Sequence, residues 1–106
     1  MSEQTIYRQG DVLLIEDQLP KDAEEVKRDA GRVILAYGEV TGHAHALSGS
    51  GTMLYASPAK KARHLKVIET DYLRHDEHTH LPIAPGIYRV VIQSEYRDKE
   101  LVRVAD

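Results

Sequence analysis

At 106 residues the chain is long enough for one domain with one hydrophobic core and too short for two. Its formal net charge of −3, with 29% charged and 42% hydrophobic residues, supplies no global attraction to nucleic acid or to an anionic membrane surface. The absence of cysteine excludes disulfides, thiolate metal ligands and a cysteine nucleophile.

The opening stretch MSEQTIYRQG has no apolar region of signal-peptide type. No run approaches the ~18 apolar residues of a membrane-spanning helix. The expectation is a cytoplasmic protein with no membrane partner. Six Tyr and no Phe or Trp leave the core to Val, Ile, Leu and the bodies of Tyr rings. Each buried Tyr then needs a partner for its hydroxyl. Such a core suits a small sheet-based domain.

Asp11 to Glu16 (DVLLIE) reads as the first strand, bounded by Gly10 and Pro20. Lys21 to Ala30 (KDAEEVKRDA) has two readings. Ala23, Val26 and Ala30 lie at helical spacing, which predicts one short helix. The alternative is a hairpin turning at Asp29 to Gly31, which pairs Glu24 to Arg28 with Arg32 onward. The hairpin is preferred, because the apolar positions are too few and too small to anchor a helix.

Arg32 to Leu47 is rich in Val, Ile and Tyr and reads as strand, with Gly38 and Gly42 as kinks or bulges. Ser48 to Thr52 (SGSGT) is a turn. Met53 to Ala56 and Leu65 to Glu69 are strands on either side of the polar SPAKKARH. Tyr72 to His80 is polar and fits no single period. PIAPG, Pro82 to Gly86, is a second turn. Ile87 to Tyr96 is the clearest strand, and RDKE (Arg97 to Glu100) joins it to Leu101 to Val104 as a hairpin turn does. The expected fold is one all-β domain over 1–106, a small β-barrel or sandwich.

Five of the six histidines fall in two groups: His43 and His45 in TGHAHAL, and His75, His78 and His80 in RHDEHTH. Residues i and i+2 of a strand project from one face, so HAH sets two imidazoles side by side. Neutral imidazole is the commonest ligand of Zn, Fe, Ni and Cu. A third ligand from a neighbouring strand leaves coordination positions open to water or substrate. If Tyr72 to His80 is a regular strand, His78 and His80 share a face with Asp76, while His75 and Glu77 point the other way; a bulge changes that parity. The opposing reading is that these are surface or hydrogen-bonded core histidines with no metal role.

GEVTGHAHAL resembles the first metal motif of the cupins, which are small jelly-roll barrels. Gly38 takes the leading glycine, Glu39 to Gly42 the spacer, and His43 and His45 the paired ligands. The spacer is one residue shorter than the cupin pattern. ALSGSG after His45 lacks its glutamate, and PIAPG follows His78 and His80 instead of preceding them. RQGDVLL, GEVTGHAHAL and LPIAPGIYRVV together are similar to a small group of uncharacterised bacterial proteins. The cupin resemblance implies a jelly roll holding a divalent ion (Zn, Fe, Ni or Mn) and acting on a small molecule.

The ligands expected from this pattern are His43, His45 and His78, with His75 or His80 as the fourth or as a supporting hydrogen-bond partner. Glu39 and Glu77 are the carboxylates nearest in sequence. Either would orient an imidazole or act as a general base on metal-bound water. The opposing reading makes both solvated side chains. SGSG is a turn and no nucleophile elbow. GSG and Gly38 with Gly42 match no phosphate-binding glycine loop, and RHDEH is not HExxH. The basic run Lys60 to Lys66 (KKARHLK) reads as a solvated loop leading into a strand, and nucleic acid is not an expected partner. The alternative function is a non-catalytic β-domain for protein interaction or assembly. Homo-oligomers are compatible with either reading.

Overall fold

The computed structural model describes residues 4–37, 43–76 and 78–93. Every regular element among them is a strand: β1 (Ile6–Gln9), β2 (Val12–Glu16), β3 (Glu24–Val26), β4 (Val33–Tyr37), β5 (Ala44–Leu47), β6 (Thr52–Ser57), β7 (Ala62–Val67), β8 (Asp71–His75), β9 (His78–Ile83) and β10 (Gly86–Ile92). They form two antiparallel sheets. One has six strands in the order β1-β2-β10-β7-β6-β3, the other four in the order β4-β5-β8-β9. The all-β expectation holds. The barrel alternative does not, because the sheets stay open and close on each other only through side chains.

One core joins them. Val12, Leu14, Leu54, Leu65, Tyr88 and Val90 of the large sheet meet Val33, Leu35, Leu47, Leu73 and Ile83 of the small one. Inward and outward residues alternate along β8, where Asp71, Leu73 and His75 are buried while Tyr72 and Arg74 are exposed. That alternation is what one apolar sheet face requires. The buried Tyr88 hydroxyl donates to the Ala84 carbonyl at 2.6 Å, and the Tyr7 hydroxyl accepts from the Ala84 amide at 3.1 Å. The two rings meet edge to face, 5.5 Å between centroids. The sole proline inside a strand, Pro82, sits on β9, an edge strand, the place in a sheet that tolerates a residue without an N–H.

Several sequence expectations change. A strand absent from the sequence reading, β1, pairs with β2 through a tight turn at Gly10 and Asp11. Neither reading of Lys21 to Ala30 survives whole. There is no helix, and Glu24–Val26 pairs with Leu54 to Ala56 of β6 instead of with β4. The turn does form, but it spans two residues and a single bridge, Asp29 to Arg32. Ala30 and Gly31 both have positive φ, 54° and 80°, the signature of a type I′ turn. Arg28 then donates to the carbonyls of Gly31, Gly49 and Thr52 and fastens this turn to the β5–β6 loop. Arg32 to Leu47 is not one strand. Val33–Tyr37 and Ala44–Leu47 pair antiparallel, with a bulge between Ile34 and Ala36. Gly38, Gly42, RDKE and Leu101 to Val104 lie outside the described residues.

Lys60 and Lys61 do sit in a turn ahead of β7, but the strand starts at Ala62 and ends at Val67, earlier than Leu65 to Glu69. Tyr72 to His80 is not one strand either. The chain reverses after His75, and β8 pairs with β9. Among the described residues no helix is long and apolar enough to cross a membrane.

Candidate metal centre

Three histidines form a row across three adjacent strands of the small sheet. Ala46 of β5 pairs with Arg74 of β8, and one further step of that antiparallel register sets His45 opposite His75. His75 in turn pairs with His78 of β9. Regular pairing would turn His78 to the other face. From Asp71 to Leu73, β8 pairs with Ile83 to Leu81, but His75 then pairs with His78, so β9 carries one extra residue there. This bulge flips the alternation and brings His78 to the side of His45 and His75.

The outcome is close convergence. One ring nitrogen from each of His45, His75 and His78 lies within 4.8 Å of the others. The ring centroids are 4.3 Å apart for His45 and His75, 4.8 Å for His75 and His78, and 5.6 Å for His45 and His78. His45 and His75 are buried, at 7% and 8% exposure, and His78 is exposed.

The large sheet contributes the support. Gln9, 4% exposed at the end of β1, reaches into the small sheet. Its Nε2 donates to the carbonyls of Leu73 at 2.8 Å and Thr79 at 2.9 Å, which flank the β8–β9 bulge. Two donated bonds fix which end of the amide is nitrogen. Its Oε1 therefore faces His45 Nδ1, at 2.9 Å, as an acceptor. An acceptor there requires His45 to carry its proton on Nδ1. Nε2 is left with a free lone pair, as a metal ligand needs.

Next to Gln9, Gly10 brings backbone against the rings. A Cβ at this position would stand 2.8 Å from His78 Nε2 and 3.2 Å from His45 Cε1, and φ is +59°. No side-chain pattern in the sequence marked Gln9 or Gly10, which belong to another sheet. RQGDV carries only a turn signal.

Burial holds the His45 imidazole down to about 4, below its ordinary 6.5. Positive charge on His75 and His78 pushes the same way, and Asp11 opposes. His45 is thus neutral at physiological pH. The depressed value also fixes the sign of a pH effect. Between about pH 6.5 and 4 the unfolded chain takes up a proton at His45 that the folded chain does not. That contribution to stability is complete above 6.5 and declines as pH falls toward 4. Metal-stripped protein should therefore take up close to one more proton on unfolding near pH 5 than a His45→Gln variant does. The pH dependence of denaturant unfolding measures it, and equal uptake would contradict the assignment.

The other expected site residues fall as follows. His43 lies beside the triad, its ring 5.9 Å from that of His75 and its Nε2 3.2 Å from Asp76 Oδ2. His80 faces the outer side, where its Nδ1 accepts from Arg74 at 3.2 Å. Glu39 and Glu77 lie outside the described residues. Elsewhere, the buried His64 bonds Asp17 through Nε2 at 3.0 Å. That contact holds the Asp17 carboxyl below its usual range.

No curated protein and no solved structure matches the chain. One family model does match, over residues 8–93, which takes in Gln9, Gly10 and all three histidines of the row. The chain accordingly belongs to the family described as a domain of unknown function, DUF8820.

Proposed function

We propose that His45, His75 and His78 bind a divalent first-row ion, Zn, Fe, Ni or Mn, in a centre of cupin type that acts on a small molecule. The observation that carries this reading is the Gln9 amide. It occupies His45 Nδ1 and keeps the Nε2 lone pair for a ligand, in a group where one nitrogen from each of three imidazoles lies within 4.8 Å of the others. Three imidazole nitrogens with no thiolate suit such an ion and leave coordination positions open. Ligands at about 2.1 Å around a tetrahedral ion stand about 3.4 Å apart. From at most 4.8 Å, closure needs about an ångström of ring movement, and His78, the exposed member, is the ring with most room to move. The bound ion would polarise an oxygen of its ligand or lower the pKa of water. The chain's part is to hold His45 neutral and oriented, and to bury two of the three rings.

Two sheets sharing one core, with the ligands on the inner face of the smaller, are compatible with a jelly roll, and HAH supplies its second histidine to the site. Protein purified without an affinity tag should carry near-stoichiometric metal by elemental analysis. After stripping, Zn, Ni, Fe or Mn salts should raise the melting temperature saturably. Neither effect should persist in a His45→Ala/His78→Ala variant. If the stripped wild type shows no shift with any of the four, the histidines are a hydrogen-bonded polar cluster. The alternative, a non-catalytic domain for interaction or assembly, then takes precedence.

A further inference from the structure

The outer face of the small sheet carries a recess that shares one lining residue, His75, with the triad. Its floor is Ala44 and Ala46, buried with Ile34 in a small apolar cluster separate from the main core. Alanine at both positions keeps the floor low, and the recess has a volume of about 210 Å³. Arginines stand on opposite sides. Arg74 is the direct cross-strand partner of Ala46. Arg32 precedes β4, which pairs with β5 through Val33 and Leu47, so it stands level with Ser48, another wall residue.

Among the described residues neither Arg32 nor Arg74 makes an ion pair. The only carboxylate on the rim, Asp76, stands 3.2 Å from His43 Nε2. Arg74 is also oriented. Its NH1 meets His80 Nδ1 at 3.2 Å, and its guanidinium carbon lies 5.7 Å from the Tyr72 ring centre. We propose that this recess binds a small oxyanion, a carboxylate or phosphate group, between the guanidiniums of Arg32 and Arg74. Guanidinium forks match both groups through paired N–H donors, and the Ser48 hydroxyl adds a further donor.

The test is calorimetric titration of the full chain, stripped of metal and dialysed, at constant ionic strength in chloride. Inorganic phosphate is one arm and succinate the other. Saturable one-to-one binding of at least one is expected, and the stronger arm tells which oxyanion the site takes. Arg32→Gln and Arg74→Gln should each weaken it about tenfold, the loss of a charge-assisted contact. Ala46→Leu raises the floor without changing any charge and should abolish it; if that variant does not fold, the arginine variants decide. Binding should survive in His45→Ala/His78→Ala. Three results overturn the proposal: no saturable heat with either anion, binding intact in the Arg32→Gln/Arg74→Gln double variant, or binding lost with the triad. In the first two the arginine stems merely cover the alanines; in the third the anion sits at the triad.

Discussion

A Gln9→Ala variant is expected to lose about 3–5 kcal/mol of unfolding free energy and to bind divalent metal about 10–100-fold more weakly. The first figure follows from three groups that the amide satisfies at once: the Leu73 carbonyl, the Thr79 carbonyl and His45 Nδ1–H. Each such group left unpartnered in a buried place costs ~1–3 kcal/mol. Water entering the vacated space would reduce the sum toward its lower end. The second figure is the usual cost of removing the partner that sets a ligand's tautomer and angle. Urea denaturation of the stripped protein measures the one, and calorimetric zinc titration the other. A stability loss below about 1 kcal/mol would mean that these bonds contribute little net energy.

Gly10→Ala should separate the site from the fold. Its φ of +59° costs an L-residue ~1–2 kcal/mol. The added methyl also needs the space of the His78 ring, whose Nε2 would be 2.8 Å away. That ring is exposed and moves aside cheaply, so stability falls modestly while the triad opens. Zinc affinity should drop about 10–100-fold, as when a ligand loses its orientation. Gly31→Ala is the matched control. It too has positive φ, +80°, but a Cβ there meets nothing within 4 Å. It should lose comparable stability and keep full zinc affinity. Equal affinities for the two variants would exclude Gly10 as a wall of the site.

The contrast between what could and could not be read from the sequence is physical. Alternating and apolar runs such as VLLIE and IYRVVI commit a segment to a sheet with one buried face, so the strand content was legible. Strand partners were not, because pairing depends on which edges meet in three dimensions: Glu24–Val26 took β6 over the adjacent β4. The pairing of HAH with RHDEHTH was legible as chemistry. Which members meet was not. His75 displaced His43 from the tightest group because β8 and β9 pair antiparallel and a bulge shifts parity. Gln9 is 36 residues from His45 and carries no motif. Its role exists only once the two sheets have closed.

The extra residue in β9 has a consequence for comparison within the family. Deleting Thr79 or His80 would restore even pairing between β8 and β9 and leave His78 opposite His75, on the same side of the sheet. Every histidine of the row would still be present in such a chain. The row needs His78 opposite His75, and the bulge is how this chain meets that need with one residue in excess. A homologue that conserves all three imidazoles but aligns with a one-residue gap at 79–80 should be classed with those that keep the triad.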